Sequence, residues 1–434
     1  MKTNKTLLSL AVTCGLVATS SSVNAAGFQL AEYSATGLGR AYAGEAAMAD
    51  NASAQWRNPA MLTYLEGTQI STGAIYVNPN IDVNGNIDGS KAQVTLPDSS
   101  VSSSDFANDA IIPNLYISHR YSDEFAVGFA LGTNYGMETN LGNDFAAAHF
   151  GNEASVTTME ANLNLAYKLN DSLSFGGGLR YVVGEGSFGA KTPKSNLVSP
   201  GDITTLKYME GDDTAFGWQA GTAWQINENH RIGFAYKSEV ELKLEGYATG
   251  IGFDPALANA RDNGYMNLTL PATAELASFH QITDQLAIHA SINWTDWSSF
   301  EKLEAQLDTY GTKMVKEENW KDNYRFALGA TYQVDSKLAV RTGVAYDTSA
   351  VSDQNRTITI PETDRTWLSL GATYEFTKQF TLDGGLTYII AKDAPITESR
   401  GYASDDAAQA VGGQFTGEVS GNVWLIGLQA NYTF

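Results

Sequence analysis

The sequence predicts an all-β fold, a 14-stranded antiparallel transmembrane β-barrel that holds a small N-terminal plug, or hatch, in its lumen. Three observations lead to this fold class. The chain begins with an export leader, most of the remainder alternates large apolar with small or polar residues, and short turns alternate with long polar segments.

The leader occupies residues 1–25. Two lysines precede an apolar core at 7–18, and Val23–Ala25 forms a small-residue cleavage site, a combination typical of a secretory signal peptide. Cys14, the single cysteine of the 434 residues, lies in this leader. We therefore expect an exported mature chain without disulfides, and we predict neither a cofactor nor a metal site.

Charge and composition exclude several classes of protein. The chain has 27 Lys and Arg against 48 Asp and Glu, a net charge of −21, so we expect no nucleic-acid partner. Aromatic residues make up 11% and charged residues 17%, which argues against a disordered chain. After the leader, no run reaches the roughly 18 apolar residues of a transmembrane helix. A soluble secreted protein and a transmembrane β-barrel remain.

Period-two alternation favours the barrel. Large apolar residues alternate with Ala and Gly along 125–132, and with Gly, Ala and Gln along 215–226. A half-buried soluble sheet gives the same alternation in any one segment, so a large soluble β-protein is the alternative. About a dozen such segments with aromatic ends are typical of a lipid-facing wall. Other clear segments are 232–244, 324–334, 338–346, 368–376 and 424–434.

Turns and loops give the strand count. Six tight connections fall at 121–124, 170–171, 227–230, 283–284, 335–336 and 377–378. Seven long polar segments lie at roughly 79–110, 138–154, 187–213, 246–264, 299–320, 348–363 and 392–413. Seven hairpins make 14 strands, which we assign to a barrel over 67–434 with long loops outside and both termini in the periplasm. The terminal Phe434 continues an outward row, as in outer-membrane assembly signals.

The stretch 26–66 does not fit a barrel wall. It is rich in Gly and Ala, carries little charge and reads as short helical pieces and turns. A barrel of 14 strands encloses more space than its own side chains fill. We therefore predict that 26–66 folds inside the lumen as a hatch, the alternative being a disordered periplasmic tail.

Short segments along the mature chain closely match a known family. They are Ala26–Leu30, Gly37–Tyr42, Asn58–Ala60, Asn134–Gly136, Lys321–Arg325 and Ile360–Trp367. In these segments the chain resembles the FadL-type outer-membrane long-chain fatty acid transporters. The resemblance runs over essentially the whole mature chain and is most specific in its first three segments.

The resemblance implies a transport route. A hydrophobic ligand lands in a groove between extracellular loops, moves to a lumenal site and leaves sideways through a wall gap at a kinked third strand. It implies that Asn134 and Gly136 lie at the kink, and that Asn58, Pro59 and Ala60 face it. Gly136 has no side chain and suits a kink. The alternative is that Gly136 is an ordinary strand end and Asn58–Pro59 a turn before the first strand.

Three aromatic residues are candidate ligand contacts. Phe28 matches a family residue at the tip of the hatch that touches ligand. Phe145 and Phe150 belong to an apolar run in a predicted extracellular loop, where exposed apolar surface is costly unless it is used. We assign them to one wall of the landing groove, with Leu197, Val198 and Met209 as weaker candidates for the other wall. Packing inside the hatch or the loop is the alternative for each.

A fatty acid carboxylate inside the barrel needs a cation or hydrogen-bond donors. Side-chain phase points Lys321 and Arg325 into the lumen, and Lys321 matches the family's lumenal lysine, so both are candidate ligand partners. Structural ion pairing is the alternative. The family's other basic ligand residue aligns with Glu185, a departure that puts carboxylate binding in doubt. The alternatives are that Lys191 or Lys194 supplies the base, or that the ligand is less acidic than a fatty acid.

We therefore predict passive transport of long-chain fatty acids, without enzymatic activity, in the outer membrane of a Gram-negative cell. A channel for small aromatic hydrocarbons is the alternative within the family, and it needs no cation. A barrel enzyme is less favoured, because the five histidines form no catalytic or metal-binding spacing. A diffusion porin is opposed by the hatch, and a TonB-driven receptor by the hatch's small size. Expected partners are hydrophobic small molecules, outer-membrane lipids and lipopolysaccharide, and we expect a monomer.

Overall fold

The computed structural model describes residues 27–193 and 202–434. The predicted signal peptide and the candidate base Lys194 lie outside these ranges. Within them, no helix is long and apolar enough to cross a membrane.

The described residues form one antiparallel sheet of twenty strands. They are β1 Thr68–Asp88, β2 Ser99–Ser103, β3 Ala110–Arg120, β4 Phe125–Gly132, β5 Gly136–Asn140, β6 Glu153–Asn170, β7 Leu173–Lys191, β8 Thr205–Asn227, β9 His230–Lys237 and β10 Val240–Thr249. The second half comprises β11 Asp262–Leu270, β12 Thr273–Gln281, β13 Leu286–Thr295, β14 Lys302–Leu307, β15 Gly311–Glu317, β16 Asn323–Gln333, β17 Leu338–Asp347, β18 Arg365–Thr377, β19 Phe380–Glu398 and β20 Gln414–Thr433.

The sheet closes into a barrel with 14 wall strands, which confirms the predicted fold class. Six wall strands are interrupted and consist of two segments each: β2–β3, β4–β5, β9–β10, β11–β12, β13–β14 and β15–β16. The other eight strands each form one wall strand. The barrel closes where β1 pairs with β20, from Gln69 opposite Thr433 to Asp88 opposite Gln414.

Side-chain alternation places the apolar row outside. On β6, Leu163 and Leu165 are 65% and 52% exposed, whereas Asn162 and Asn164, which alternate with them, are buried. Aromatic pairs flank this apolar band at both ends of the wall, as lipid-facing barrels require. They include Phe125–Tyr167 and Tyr374–Phe376 near the short turns, and Trp218–Tyr236 and Tyr388–Trp424 near the long loops.

The six short turns agree with the prediction, but much of the predicted long loops is strand. β1 continues to Asp88, β19 continues to Glu398, and the predicted loop 299–320 contains the hairpin of β14 and β15. These extensions lack the apolar outward row because they project beyond the membrane. The backbones of these extensions form ladder hydrogen bonds without an apolar row, so their amino-acid composition resembles that of loops. A helix, α2 (Ala403–Gly412), and the 3₁₀ turns Gly89–Lys91, Pro255–Leu257 and Trp297–Ser299 complete this side.

The N-terminal segment, Gly27–Leu65, lies against the inner face of the wall. It contains one short helix, α1 (Ala35–Leu38), and three 3₁₀ turns, Glu45–Ala47, Ala52–Trp56 and Pro59–Tyr64. Most of its side chains are buried. Whether it acts as a separate hatch domain with the boundaries 26–66 stays a prediction.

Inward glycines of the wall make room for this segment. A Cβ on Gly343 of β17 would collide with the backbone of Arg40, and one on Gly233 of β9 would collide with the backbone of Ala46. The wall therefore bears no side chain where the segment approaches most closely.

We predict that Gly343→Ala loosens the N-terminal segment, because backbone atoms cannot yield as a flexible side chain can. The expected loss is about 1–3 kcal/mol in the free energy of unfolding, measured by urea titration in detergent micelles. Gly384→Ala is the matched control, since its Cβ would meet its nearest neighbour, Leu428, at 3.9 Å. Equal losses in the two variants would contradict this account.

Candidate functional site

The wall is interrupted in its third strand. β4 ends at Gly132 and β5 begins at Gly136, with Thr133–Tyr135 between them. β4 pairs with β3 on one side and β6 on the other, whereas β5 pairs along its length with β6. On the other side of β5 the described residues supply a bridge between Ala107 and Thr139 and no continuous ladder. A strip of wall beside the interruption is therefore not closed by a neighbouring wall strand.

The N-terminal segment supplies the missing backbone partners. The amide of Leu30 donates to the carbonyl of Asn134 at 2.7 Å, and the amide of Gly136 donates to the carbonyl of Phe28 at 2.8 Å. Gln29 lies opposite Tyr135 in this short antiparallel contact. Backbone groups at membrane depth need such partners. Phe28–Leu30 thus covers the interruption from inside.

Side chains also hold the interruption in place. The amide of Asn134 donates to Glu160 at 2.6 Å, and Arg180 donates to the same carboxylate through two nitrogens at 2.8 Å each. Lys237 Nζ lies 3.8 Å from Glu160. On the other side, the hydroxyl of Tyr135 donates to the carbonyl of Pro271 at 2.6 Å. These charges pair with one another, as structural ion pairs do.

The structure corrects the expected position of Asn58. Its amide donates to the carbonyls of Ala46 at 2.6 Å and Thr222 at 2.9 Å, and its side-chain oxygen accepts from Ala60 N at 3.0 Å. Asn58 therefore caps the 3₁₀ turn that begins at Pro59 and anchors it to β8. Asn58, Pro59 and Ala60 do not face the kink, because Phe28–Leu30 occupies that place.

An apolar space, the inner cavity, lies beside the covered interruption. Its free volume is about 30 Å³, so lining side chains must move before a ligand can occupy it. Phe28 belongs to its lining and packs edge-on against Trp297 and Phe300 with ring centroids 4.6 and 5.6 Å apart. That Phe28 touches ligand stays a prediction. The lining comprises Phe28, Met137, Ala154, Ser155, Val156, Gly186, Ser187, Phe188, Met209, Met266, Leu268, Phe300, Leu303, Glu318, Thr359 and Ile360.

A second space, the outer cavity, lies between the outer ends of β7, β8, β10, β11 and β14. It has a free volume of about 20 Å³ and is lined mainly by Leu, Met, Ala, Gly and Tyr residues. Gly186, Met209 and Met266 line both cavities. The two cavities are therefore neighbours, and these three residues lie between them. Met209 was a weak candidate in the sequence, whereas Leu197 and Val198 lie outside the described residues.

Phe145 and Phe150 do not line either cavity. They are 5% and 4% exposed and belong to a packed cluster of loop and strand residues. Phe145 lies 6.4 Å from Phe415 and Phe150 lies 4.3 Å from His149, measured between ring centroids. The apolar run is thus covered by the neighbouring elements. This corrects its assignment to a landing groove.

Arg325 has a structural partner. Its guanidinium donates to Asp347 at 2.9 and 3.0 Å and to the carbonyl of Ala41 at 2.9 Å, and it lies over the ring of Trp367. It therefore holds the N-terminal segment to the wall and does not line the inner cavity.

Lys321 and Glu185 do not face the lumen. Lys321 is exposed and precedes the first residue of β16, so the inward phase of that strand does not extend to it. Glu185 is exposed on the outward row of β7, between Gly184 and Gly186, which face inward. The departure at Glu185 therefore puts no acid into the cavity.

The acid that does line the inner cavity is Glu318, which the sequence analysis missed. It is 1% exposed and accepts from the indole nitrogen of Trp320 at 3.0 Å. Burial raises the pKa of Glu318 to about 6, although Arg400 and Lys316 act in the opposite direction. The one sequence feature that points to this acid is its position between β15 and β16, next to the matched segment Lys321–Arg325. Nothing in the polar loop sequence distinguishes it from Glu317.

A family model described as "Outer membrane protein transport protein (OMPP1/FadL/TodX)" matches residues 16–434. The chain belongs to this family. The family places the protein in the Gram-negative outer membrane and among transport proteins for hydrophobic compounds. The resemblance found in the sequence is thereby confirmed.

Relatives in the OMPP1/FadL/TodX family match over the full chain. The long-chain fatty acid transport protein of Escherichia coli O6:H1 is 34% identical over 462 residues, which covers 100% of this chain and 99% of that protein. Outer membrane protein P1 of Haemophilus influenzae is 35% identical over 465 residues and covers 100% of both chains. A solved Pseudomonas aeruginosa FadL homologue has the same fold, with a TM-score of 0.82 at 24% identity over 94% of this chain and 100% of that one.

We predict that Arg325→Ala destabilises the barrel, because it leaves Asp347 buried without its guanidinium partner. Breaking such a pair costs about 3–5 kcal/mol, and urea unfolding in detergent would measure the loss. Lys321→Ala, at an exposed site on the same wall strand, should leave the free energy of unfolding unchanged within about 0.5 kcal/mol. A large loss in Lys321→Ala would contradict the assigned positions.

Proposed function

We propose that this protein carries long-chain fatty acids passively across the outer membrane. The observation that supports the proposal most strongly is the pair of neighbouring apolar cavities, which share Gly186, Met209 and Met266 in their linings. Phe28 lines the inner cavity, and its backbone covers the wall interruption. The full-length relatives named as long-chain fatty acid transport proteins add to this support.

The proposed route has three steps. The ligand enters the outer cavity between the long strand ends, moves past Met209 and Met266 into the inner cavity, and leaves sideways beside Asn134–Gly136. The last step requires Phe28–Leu30 to withdraw from the interruption, since the segment occupies its inner side. Direct exit into the membrane is favourable in free energy for a hydrophobic ligand, because its apolar surface is then never exposed to the aqueous periplasm.

We further propose that the protein works as a monomer, contacts outer-membrane lipids and lipopolysaccharide, and catalyses no reaction. The apolar outward row and its aromatic bands suit a surface surrounded by lipid.

A channel for small aromatic hydrocarbons is the second candidate. It is favoured by the lining of the inner cavity, in which Glu318 is the one ionisable group among the described residues. Such a ligand needs no cation.

Side-by-side uptake of labelled oleate and toluene tests the proposal, in cells that lack their own fatty acid transporter and express this chain. Saturable oleate uptake would support fatty acid transport. Toluene uptake without oleate uptake would favour the hydrocarbon channel, and uptake of neither would overturn both.

We predict that a disulfide between Gln29→Cys and Tyr135→Cys blocks uptake. The two residues face each other in a narrow antiparallel pair, whose geometry suits a disulfide. The mature chain has no cysteine of its own, and the periplasm is oxidising, so the bond should form during export. Oleate uptake should fall at least about tenfold and return when the cells are treated with a reductant.

Two controls accompany this experiment. Each single cysteine variant sets the baseline for the lost side chain, including the Tyr135 hydroxyl. The pair Thr381→Cys and Asn431→Cys links β19 to β20 without touching the N-terminal segment. Full uptake through the oxidised Gln29–Tyr135 pair would refute exit at the interruption.

A further inference from the structure

Pro113 lies in β3, directly across from the point where the third wall strand, β4–β5, is interrupted. The pairing of β3 with β4 reaches as far as Leu115 opposite Leu131. Continued by two residues, the same register places Pro113 opposite Thr133, the first residue after β4. The ladder between β3 and the third wall strand therefore ends where the proline would have to join it.

Hydrogen bonds at the turn end of β3 show which way the backbone of Pro113 faces. The amide of Arg120 donates to the carbonyl of Gly67, on the β1 side, at 2.9 Å. The amide of Tyr121 donates to the carbonyl of Phe125, on the β4 side, also at 2.9 Å. Successive residues of a paired strand direct their backbone groups alternately to its two neighbours. The even-numbered residues of β3 thus face β1, and the odd-numbered residues, which include Pro113, face the interruption.

A proline at this position removes a donor from the ladder. A residue with an amide hydrogen at position 113 would exchange two hydrogen bonds with Thr133, as the hydrogen-bonded pairs of antiparallel strands do. Proline has no amide hydrogen, so β3 offers no donor to the carbonyl of Thr133. The next residue of β3 that faces this strip, Ile111, would fall opposite Tyr135, and Tyr135 lies opposite Gln29 of the N-terminal segment instead.

The other neighbour of the third wall strand changes its register at the same place. β4 ends with Gly132 opposite Glu160 of β6, and β5 begins with Gly136 opposite Thr157 of β6. Between these two pairs the third wall strand has three residues, whereas β6 has two. An extra residue of this kind bends a strand. The third wall strand therefore turns away from β3 at the level where Pro113 ends the ladder.

The other prolines of the described strands also lie at unpaired edges. Pro79 of β1 comes after Val77, the last residue of β1 that pairs with β3, and before the part that pairs with β2. Pro395 of β19 lies beyond Ala391, the last residue of β19 that pairs with β18. Prolines within sheets are confined to such edges. Pro113 differs from both because its edge borders the interruption of the third wall strand.

We propose that Pro113 is a positioning residue that keeps the ligand exit open between β3 and the third wall strand. It withholds the donor that would extend the β3 ladder over Thr133, so the wall does not close there with its own strands. The interruption is then covered by the backbone of Phe28–Leu30, a segment outside the wall that can withdraw. The inference rests on the proposed function, because it concerns the exit step. Pro113 acts through the two strands and touches no ligand.

Pro113→Val tests this, since valine supplies an amide hydrogen and suits a strand. The variant should form the hydrogen-bonded pair between residues 113 and 133. Hydrogen–deuterium exchange of the full mature chain in lipid nanodiscs should then show a protected amide at residue 113. Opening of the exit has to break this pair, and one added hydrogen bond shifts an equilibrium about threefold to tenfold. Oleate uptake should fall by the same factor, in cells that lack their own fatty acid transporter and after correction for the amount of folded protein.

Two further variants and a stability measurement separate this role from simple packing. Pro113→Ala supplies the same amide hydrogen with a small side chain, so its uptake should fall as well. Pro395→Val is the matched control, because it makes the same chemical change at an edge away from the interruption, and it should keep the uptake of the wild type. The thermal unfolding midpoint of Pro113→Val in detergent should equal or exceed that of the wild type, because the ladder gains a bond. A packing defect would lower the midpoint together with uptake.

An unprotected amide at residue 113 of Pro113→Val would overturn the inference whatever the uptake, because the ladder would then end there without the proline. A protected amide with full uptake would overturn it too, and so would lost uptake with a lowered midpoint or an equal loss in Pro395→Val. These results leave transport itself intact. Failure of the transport proposal looks different, since cells with the wild-type chain would then take up neither oleate nor toluene, while the protection of residue 113 stays measurable.

Discussion

Backbone pairing inside the membrane is the constraint on which this structure depends. Hydrocarbon offers no partner to a free amide or carbonyl, so an open strip of wall is tolerated only where protein or a water-filled cavity meets it. The protein meets this demand at Asn134 and Gly136 with the backbone of Phe28–Leu30. An unmet buried polar group costs about 1–3 kcal/mol. Withdrawal of the N-terminal segment therefore leaves at least two such groups unpaired. The state in which Phe28–Leu30 covers the interruption is favoured until other interactions offset this cost.

The same constraint explains the chemistry of the lumen. The N-terminal segment must sit close to the wall, and inward glycines such as Gly233 and Gly343 allow its backbone to approach. Its own charges and those of the wall are paired at the same time. Arg325 binds Asp347 and the carbonyl of Ala41, and Arg40 binds Glu45 at 2.6 Å and Asp50 at 2.8 Å. Arg325 thus fastens the segment to the wall, and Arg40 holds the segment together.

Sequence reasoning recovered the wall because its signal is local. A period of two and short Asn, Asp or Ser turns can be read residue by residue, and they gave the 14 strands and the outward row. The site depends on contacts between distant segments. No pattern near Asn58 indicates that it caps a turn against Thr222, or that Phe145 is covered by Phe415. Lys321 was placed inward by extending the phase of β16 beyond its first residue. Sequence reasoning does not find Glu318 because loop acids are normally solvated, whereas this one is buried beside Trp320 and the apolar lining of the inner cavity.

Phe28 joins the ligand site to the closure of the wall. Its ring lines the inner cavity against Trp297 and Phe300, while its carbonyl accepts from Gly136 at the interruption. An acyl chain longer than the free space needs room where the ring lies, and the ring cannot move far without moving the backbone that carries it. Ligand entry and release of the interruption thus act on one residue, so a ligand that binds better when Phe28 is displaced shifts the segment toward withdrawal. Ligand binding and withdrawal of the segment influence each other, since the hydrogen bond between Phe28 and Gly136 also keeps the Phe28 ring in the inner cavity and so narrows it.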